Sequence, residues 1–340
     1  VARLSWKAPE LEIEVDDLHI KWTPAALFDK RLVIGELTMA RLRLDIASAA
    51  EATPPPDSLT LPVAVDIQKM VISRLDYGQV FSVGDLRGAF ASDGLTHRLS
   101  DFGARLGRAV IAGSAELGGS APLPLRAEAS IAGEIDDQAV RLTLKAAGPL
   151  ERIELTVAAA EGVSGSGRVL LTPFARQPFA EARLELIEVD PAVWIDGAPS
   201  ARLALQATIR PDERQADAIA GGFELHNASA GPLDRRRLPL ESLSGRFDWH
   251  DGVARFGDLQ ARLPGRSRLG GSAVWRDAAL HLDLTVRDLD AAQLASMLRS
   301  TRLNGPISAR LGRTRQQIDF RLVDPGFVFA AEASHENAKL

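Results

Sequence analysis

A chain of 340 residues, 46% hydrophobic and 25% charged, has the composition of a folding protein rather than a disordered one. A net charge of −5 supplies no general basic field for nucleic acid, and the lack of cysteine excludes disulfides, thiolate nucleophiles and cysteine zinc sites. No run of about 18 uncharged apolar residues occurs, so no segment is expected to cross a membrane as a helix.

The dominant pattern has period two. In LEIEVDDLHIKW (11–22), Leu11, Ile13 and Val15 alternate with Glu12, Glu14 and Asp16, and Leu18, Ile20 and Trp22 resume after a one-residue phase slip. TPAALFDK (23–30) predicts a turn or two of helix, with Thr23 as N-cap and Pro24 at the first helical position. RLRLDI (41–46) closes an N-terminal β segment, 1–46. The run ASAAEATPPPDSLTLP (47–62) is then expected to be a stiff linker, because consecutive prolines cannot join a ladder.

Residues 63–340 read as one continuous repetitive β segment. Strands are predicted at VAVDI (63–67), RLTLK (141–145), IELTV (153–157), RLELI (183–187), ARLALQATI (201–209), LHLDLTV (280–286) and IDFRL (318–322). Asp93-Gly94, Gly118-Gly119, Asp136-Asp137 and Asp251-Gly252 mark turns between them, which implies mostly antiparallel pairing. LDAAQLASMLRS (289–300) predicts the best helix, capped by Asp290, with Leu294, Met297 and Leu298 on one face.

The chain also repeats itself. LRGAFASDGLTHRLSDFGARL (86–106) returns as LSGRFDWHDGVARFGDLQARL (243–263), and Gly113-Ser114-Ala115 returns as Gly271-Ser272-Ala273. The constant offset points to a duplicated supersecondary unit covering about 86–115 and 243–273.

Little of the chain reads as chemistry. The histidines show no metal spacing, and Asp248, His250 and Asp251 read as a hairpin turn rather than a cation site. GVSGSG (162–167) lacks both the P-loop lysine and the dinucleotide spacing and reads as a tight turn; Asn227-Ala-Ser229 is a sequon of no weight. Arg235-Arg236-Arg237 reads as a solvated turn, with lipid headgroups or an acidic partner as the lesser alternative. No nucleophile elbow occurs, so no enzyme, cofactor or metal is expected.

The question left is where the apolar faces go. A β-sandwich would bury them against each other. Few aromatics, strands that continue without a second break, and the long repeat favour a sheet curled into an open apolar groove. Leu11, Ile13, Val15, Ile153, Leu155, Val157, Leu184, Leu186, Leu203, Leu205, Leu280, Leu282 and Leu284 are expected to line it.

Four stretches carry a resemblance to a known family. They are 11–46 with the following linker and LPVAVDIQKMVISRL (61–75); LIEVDPAVWIDGAPSARLALQATI (186–209); GGFELHNASAGPLDRRRLPLESLSGRFDWHDGVARFGDLQARLPGRSRLGGSAVW (221–275); and LDAAQLASMLRSTRLNGPISARL (289–311). In these the chain resembles the TamB-like inner-membrane component of the translocation and assembly module, within the AsmA-like bridge-type lipid transporters. The resemblance implies an elongated, curled antiparallel sheet (a β-taco) in the periplasm of a Gram-negative bacterium. It implies phospholipid acyl chains as cargo, an inner-membrane anchor, and an outer-membrane Omp85-type (TamA-like) barrel as partner. It also implies a role in outer-membrane protein assembly and secretion. The chain starts at Val1 inside the alternating pattern and is expected to be a segment that lacks both the anchor and the partner-contacting region.

Overall fold

The structure, a computed structural model, describes residues 3–8, 11–46, 54–78, 81–135, 138–161, 164–193, 197–212, 215, 217–312 and 315–336. It is 70% strand and 5% helix, as the period-two pattern requires. The chain divides into two compact units, Val1–Ala180 and Glu181–Leu340. Each is an open, curled, mainly antiparallel sheet that does not close into a barrel.

The first unit begins with β1 (Arg3–Ala8), β2 (Leu11–Asp16), β3 (His19–Thr23) and β4 (Arg31–Ile46). The long β4 pairs with β3 through its first half and with β2 through its second. Its other edge carries β5 (Ala64–Tyr77) in parallel. A parallel pair needs a crossover, and the proline-rich segment supplies it. Residues 58–61 of that segment are tied down: Leu59 N–H donates to Gly119 O, Leu61 N–H to Gly94 O, and Leu59 O contacts the buried His97 ring at 2.9 Å. An antiparallel meander follows through β6 (Phe81–Ser92), β7 (Thr96–Leu106), β8 (Ala109–Gly118), β9 (Pro124–Ile135), β10 (Gln138–Pro149), β11 (Ile153–Glu161) and β12 (Ser164–Leu171). Gly165 and Gly167 of GVSGSG lie within β12, paired with Ala159 and Val157. The turn residues 162–163 lie outside the described residues, as do Asp136 and Asp137.

The second unit is a meander throughout. It runs β13 (Phe179–Val189), β14 (Leu203–Pro211), β15 (Ile219–Asn227), β16 (Ser242–His250), β17 (Val253–Arg262), β18 (Arg268–Arg276), β19 (Ala279–Leu289), β20 (Leu303–Leu311), β21 (Arg315–Asp324) and β22 (Phe327–Glu336). Asp251-Gly252 closes the β16–β17 hairpin with φ of 48° and 72°, the two positive values that a tight I′ turn demands.

The phase slips in the sequence become β-bulges of one kind. Asp85, Asp101, Glu188, Asp258 and Asp288 all take φ between 50° and 56°, and each sits where the strand register shifts by one residue. Aspartate tolerates the left-handed region better than most side chains, and a left-handed residue is what such a bulge needs. The extra residue returns the next apolar side chain to the same face. Asp17, between β2 and β3, has the same conformation, with φ 53°.

The duplicated stretches are β6–β8 in one unit and β16–β18 in the other, with the Asp101 bulge matching that of Asp258. The repeated glycine has a steric reason. A Cβ on Gly113 would lie 2.4 Å from Glu128 O, and one on Gly271 would lie 2.1 Å from Asp283 O. Gly271→Ala is expected to destabilise the second unit by about 1–3 kcal/mol, read as a lowered urea midpoint, because backbone of the next strand must move.

Dry packing is local. In the first unit Ile72, Leu86 and Ala104 are buried together. In the second, Leu263, Val286, Leu289, Leu303 and Leu322 are buried, with Leu294 packed on them. The predicted helix over 289–300 is a single turn, α1 (Ala291–Leu294). Asp290 caps it as expected, accepting from Ala292 N–H, but Met297 is 82% exposed instead of sharing a face with Leu294. TPAALFDK forms a 3₁₀ turn, Pro24–Asp29, and Thr23 makes no side-chain cap bond.

One buried charge stands out in the first unit. Asp76 is 5% exposed and accepts from Arg74 Nε at 2.8 Å and Arg41 Nε at 2.5 Å. Hydrogen bonds from Arg74 first, then Ser82 and Arg41, hold its carboxyl well below the usual carboxylate range against the opposing effect of desolvation. A depressed folded-state pKa contributes stability that is present above about pH 4 and fades as pH falls through the folded value. Urea unfolding between pH 5 and pH 2.5 is therefore expected to show an acid-side loss that Asp76→Asn diminishes.

Candidate functional site: an uncovered apolar face

Cross-strand register aligns the alternating apolar residues into continuous rows. In the first unit one row runs Ile67, Phe90, Leu99, Ala115, Ala127, Ala146, Leu155, Val169 from β5 to β12. Beside it runs Phe102, Gly113, Ala129, Leu144, Val157, Gly167. Ile153, the third residue expected on β11, pairs with Leu171 and is buried. Near the N-terminus, Ile13 lies between Trp6 and Leu44, and Val15 between Leu4 and Leu42. Leu11 pairs with Ile46 through the backbone; its side chain lies outside the described residues.

The second unit has rows of the same kind. Leu186, Leu205, Leu225, Leu243, Ala261, Leu269 and Val286 form one, from β13 to β19. Another runs Ala182, Ile209, Gly221, Phe247, Phe256, Ala273, Leu282, Ala309, Ile318, Ala333, from β13 to β22. Leu184 faces Ala207, Leu203 faces Val189, Leu284 stands between Gly271 and Ile307, and Leu280 between Trp275 and Leu311. By register, the expected residues other than Leu11 stand on the same side of the sheet as the other alternating apolar residues of their own unit.

These faces are largely uncovered. Val15 and Ile153 are buried; Ile13, Leu155, Val157, Leu186, Leu203, Leu205, Leu280, Leu282 and Leu284 are half-buried; Leu184 is exposed. From Leu142 to Gly148 on β10 every apolar-face position is half-buried and every opposite position is exposed. A second protein layer would have buried them. Trp249 and Trp275, on the row nearest the Asp251 turn, remain 39% and 42% exposed.

The opposite faces are polar and self-neutralising. Arg98 meets Glu116 at 2.7 Å, Arg168 meets Glu154 at 3.0 Å, Arg210 meets Glu181 at 2.7 Å, and Arg246 meets the bulge residue Asp258. Exposed pairs of this sort stabilise little, but they keep the face wet.

The polar constellations of the sequence have structural roles. His250 Nε2 lies 3.0 Å from Asp251, Asp248 pairs with Arg255, and no cluster able to hold a metal occurs among the described residues. Asn227 is buried; its side chain accepts from Arg202 N–H and donates to Leu240 O, so the sequon is structural. Arg235 and Arg236 end a 3₁₀ turn, and Arg237 bridges to Ser200. Among the described residues no helix is long and apolar enough to cross a membrane.

The fold and the site define an open β-sheet protein with an apolar face in each unit that is largely uncovered among the described residues. No known protein family, curated protein or solved structure matches the chain.

Proposed function

We propose that the chain is a segment of a periplasmic bridge-like protein that carries phospholipids between the inner and outer membranes, and so serves outer-membrane biogenesis. The observation that carries this reading is the run of half-buried apolar rows: among the described residues no second sheet lies over them, and protein covers them only locally, as where Leu294 packs on the Val286 end. An apolar face of that extent does not stay bare in water. Acyl chains suit it, since each CH₂ withdrawn from water gains about 0.8 kcal/mol. A tail coming from a bilayer gains little more, so movement from strand to strand along a row is nearly level in energy. That is what a conduit needs, and it calls for no catalytic group, cofactor or metal. In this reading the partners are phospholipid acyl chains, the inner membrane and an Omp85-type outer-membrane barrel.

A second reading, a β-scaffold for assembling outer-membrane proteins, is favoured by one observation. Among the described residues β22 pairs with β21 alone, and Phe327, Val328 and Phe329 on it are exposed. A free edge can template an incoming strand. Mass spectrometry of lipid extracted from the purified protein, with photocrosslinking from positions 155, 282 and 328, separates the two. Phospholipid adducts at 155 and 282 support transport. Client-protein adducts at 328 with no lipid at the other positions support the scaffold.

A further inference from the structure

The polar face of the second unit holds an arginine row that breaks the charge pairing seen elsewhere. Arg262 on β17 is the direct cross-strand partner of Arg268 on β18, which is the direct partner of Arg287 on β19. Ser242 and His226 continue the row onto β16 and β15. All three arginines are exposed, and none has a carboxylate within ion-pair distance among the described residues. Like charges directly opposite one another in a sheet are destabilising, and at about 5 Å between neighbouring Cα atoms these three repel one another.

The row lines a concavity of about 710 Å³ on that face. The next rung inward is Glu224, Ser244, Gln260, Gly270 and Thr285, which also line it. Its centre is neutral and rich in hydrogen-bonding groups. At Gly270 no side chain rises from the floor. The one carboxylate of that rung, Glu224, lies at the β15 end, and the arginines are on β17–β19.

From this arrangement we infer that Arg262, Arg268 and Arg287 form a binding site for a phosphate group. Adjacent guanidinium forks converge on one tetrahedral oxyanion, each offering paired N–H donors, and the bound anion removes their mutual repulsion. The site lies on the face opposite the apolar rows and does not depend on the lipid reading. A phospholipid headgroup and a soluble phosphate ester carry the same chemistry.

The test uses the whole chain and two probes, inorganic phosphate titrated by calorimetry and co-sedimentation with phosphatidylglycerol or phosphatidylcholine vesicles at low and high salt. Wild type is expected to bind phosphate, and Arg268→Gln and the Arg262→Gln/Arg268→Gln/Arg287→Gln triple variant to lose at least tenfold, with unchanged far-ultraviolet circular dichroism. Salt-sensitive retention on phosphatidylglycerol but not phosphatidylcholine vesicles, lost in the same variants, assigns the phosphate to a headgroup. Phosphate binding without vesicle retention assigns it to a soluble ester. Leu282→Asp is expected to leave both unchanged, so failure of the lipid conduit and failure of this site are read separately. A wild type that binds neither probe, or folded variants that bind as wild type does, overturns the inference.

Discussion

Leu282→Asp is expected to reduce phospholipid that co-purifies with the chain at least tenfold, and to stop lipid transfer between donor and acceptor vesicles, while the urea midpoint shifts little. Leu282 sits mid-row, between Ala273 and Ala309 on the neighbouring strands. Small side chains on both sides leave it standing above its two direct neighbours in the row. It is half-buried, so the new carboxylate keeps access to water when the face is empty. Folding therefore loses only part of one leucine's burial, about 1 kcal/mol. A tail crossing that rung must strip the carboxylate of its water, which costs several kcal/mol. Tenfold corresponds to only about 1.4 kcal/mol, so the expected loss is a lower bound. The mirror substitution Asp283→Leu, on the opposite face, is expected to leave lipid content unchanged. Equal lipid in wild type and Leu282→Asp, with the fold intact, removes the apolar face from the transport path.

The fold was legible because period-two alternation reports directly on a half-buried sheet. Leu280, Leu282 and Leu284 alternate with His281 and Asp283, and that alone places them on one face. What alternation cannot give is register across strands, since that is set by turns and bulges. The continuous row from Ala182 to Ala333 therefore emerges only from the pairings. The bulges were half legible. The slip at Val15-Asp16-Asp17-Leu18 is visible by eye, and the same apolar–x–Asp–apolar signature recurs in VGDL (83–86), LSDF (99–102), FGDL (256–259) and VRDL (286–289). In the structure each third residue is left-handed.

The helix over 289–300 misled for a physical reason. Its spacing fits a helix, but Thr301 N–H donates to Asp290 and Ser296 is held by Asp234 of a neighbouring loop. Those contacts tie the segment into a loop, and a helix this short has little intrinsic stability to resist them. The arginine row was not legible, because Arg262, Arg268 and Arg287 are brought together by two hairpins and have no common motif.

The bulges lead to the strongest expected effect, a contrast between two single-residue deletions in β17. Between Phe256 and Leu259 the strand carries two residues, Gly257 and Asp258, where its β18 partner carries one between Ala273 and Gly271. The β16 side shows the same excess, since Arg246 faces Gly257 and Ser244 faces Gln260. Removing Asp258 leaves a regular ladder on both sides: Phe256, Leu259 and Ala261 stay on the apolar face, and only a local twist and the exposed Arg246–Asp258 pair are lost. That deletion is expected to cost less than about 1.5 kcal/mol. Removing Gln260 has the opposite consequence. Every residue beyond it changes face, so Arg262 points to the apolar side and Leu263 leaves the cluster it shares with Val286, Leu289, Leu303 and Leu322. Extracting a buried leucine costs about 2–5 kcal/mol, and an arginine forced onto the apolar face adds to it. The Gln260 deletion is therefore expected to abolish cooperative unfolding of the second unit in urea monitored by far-ultraviolet circular dichroism. If the two deletions destabilise equally, the aspartate bulges do not keep the apolar side chains in phase, and the rows built on that phase lose their physical basis.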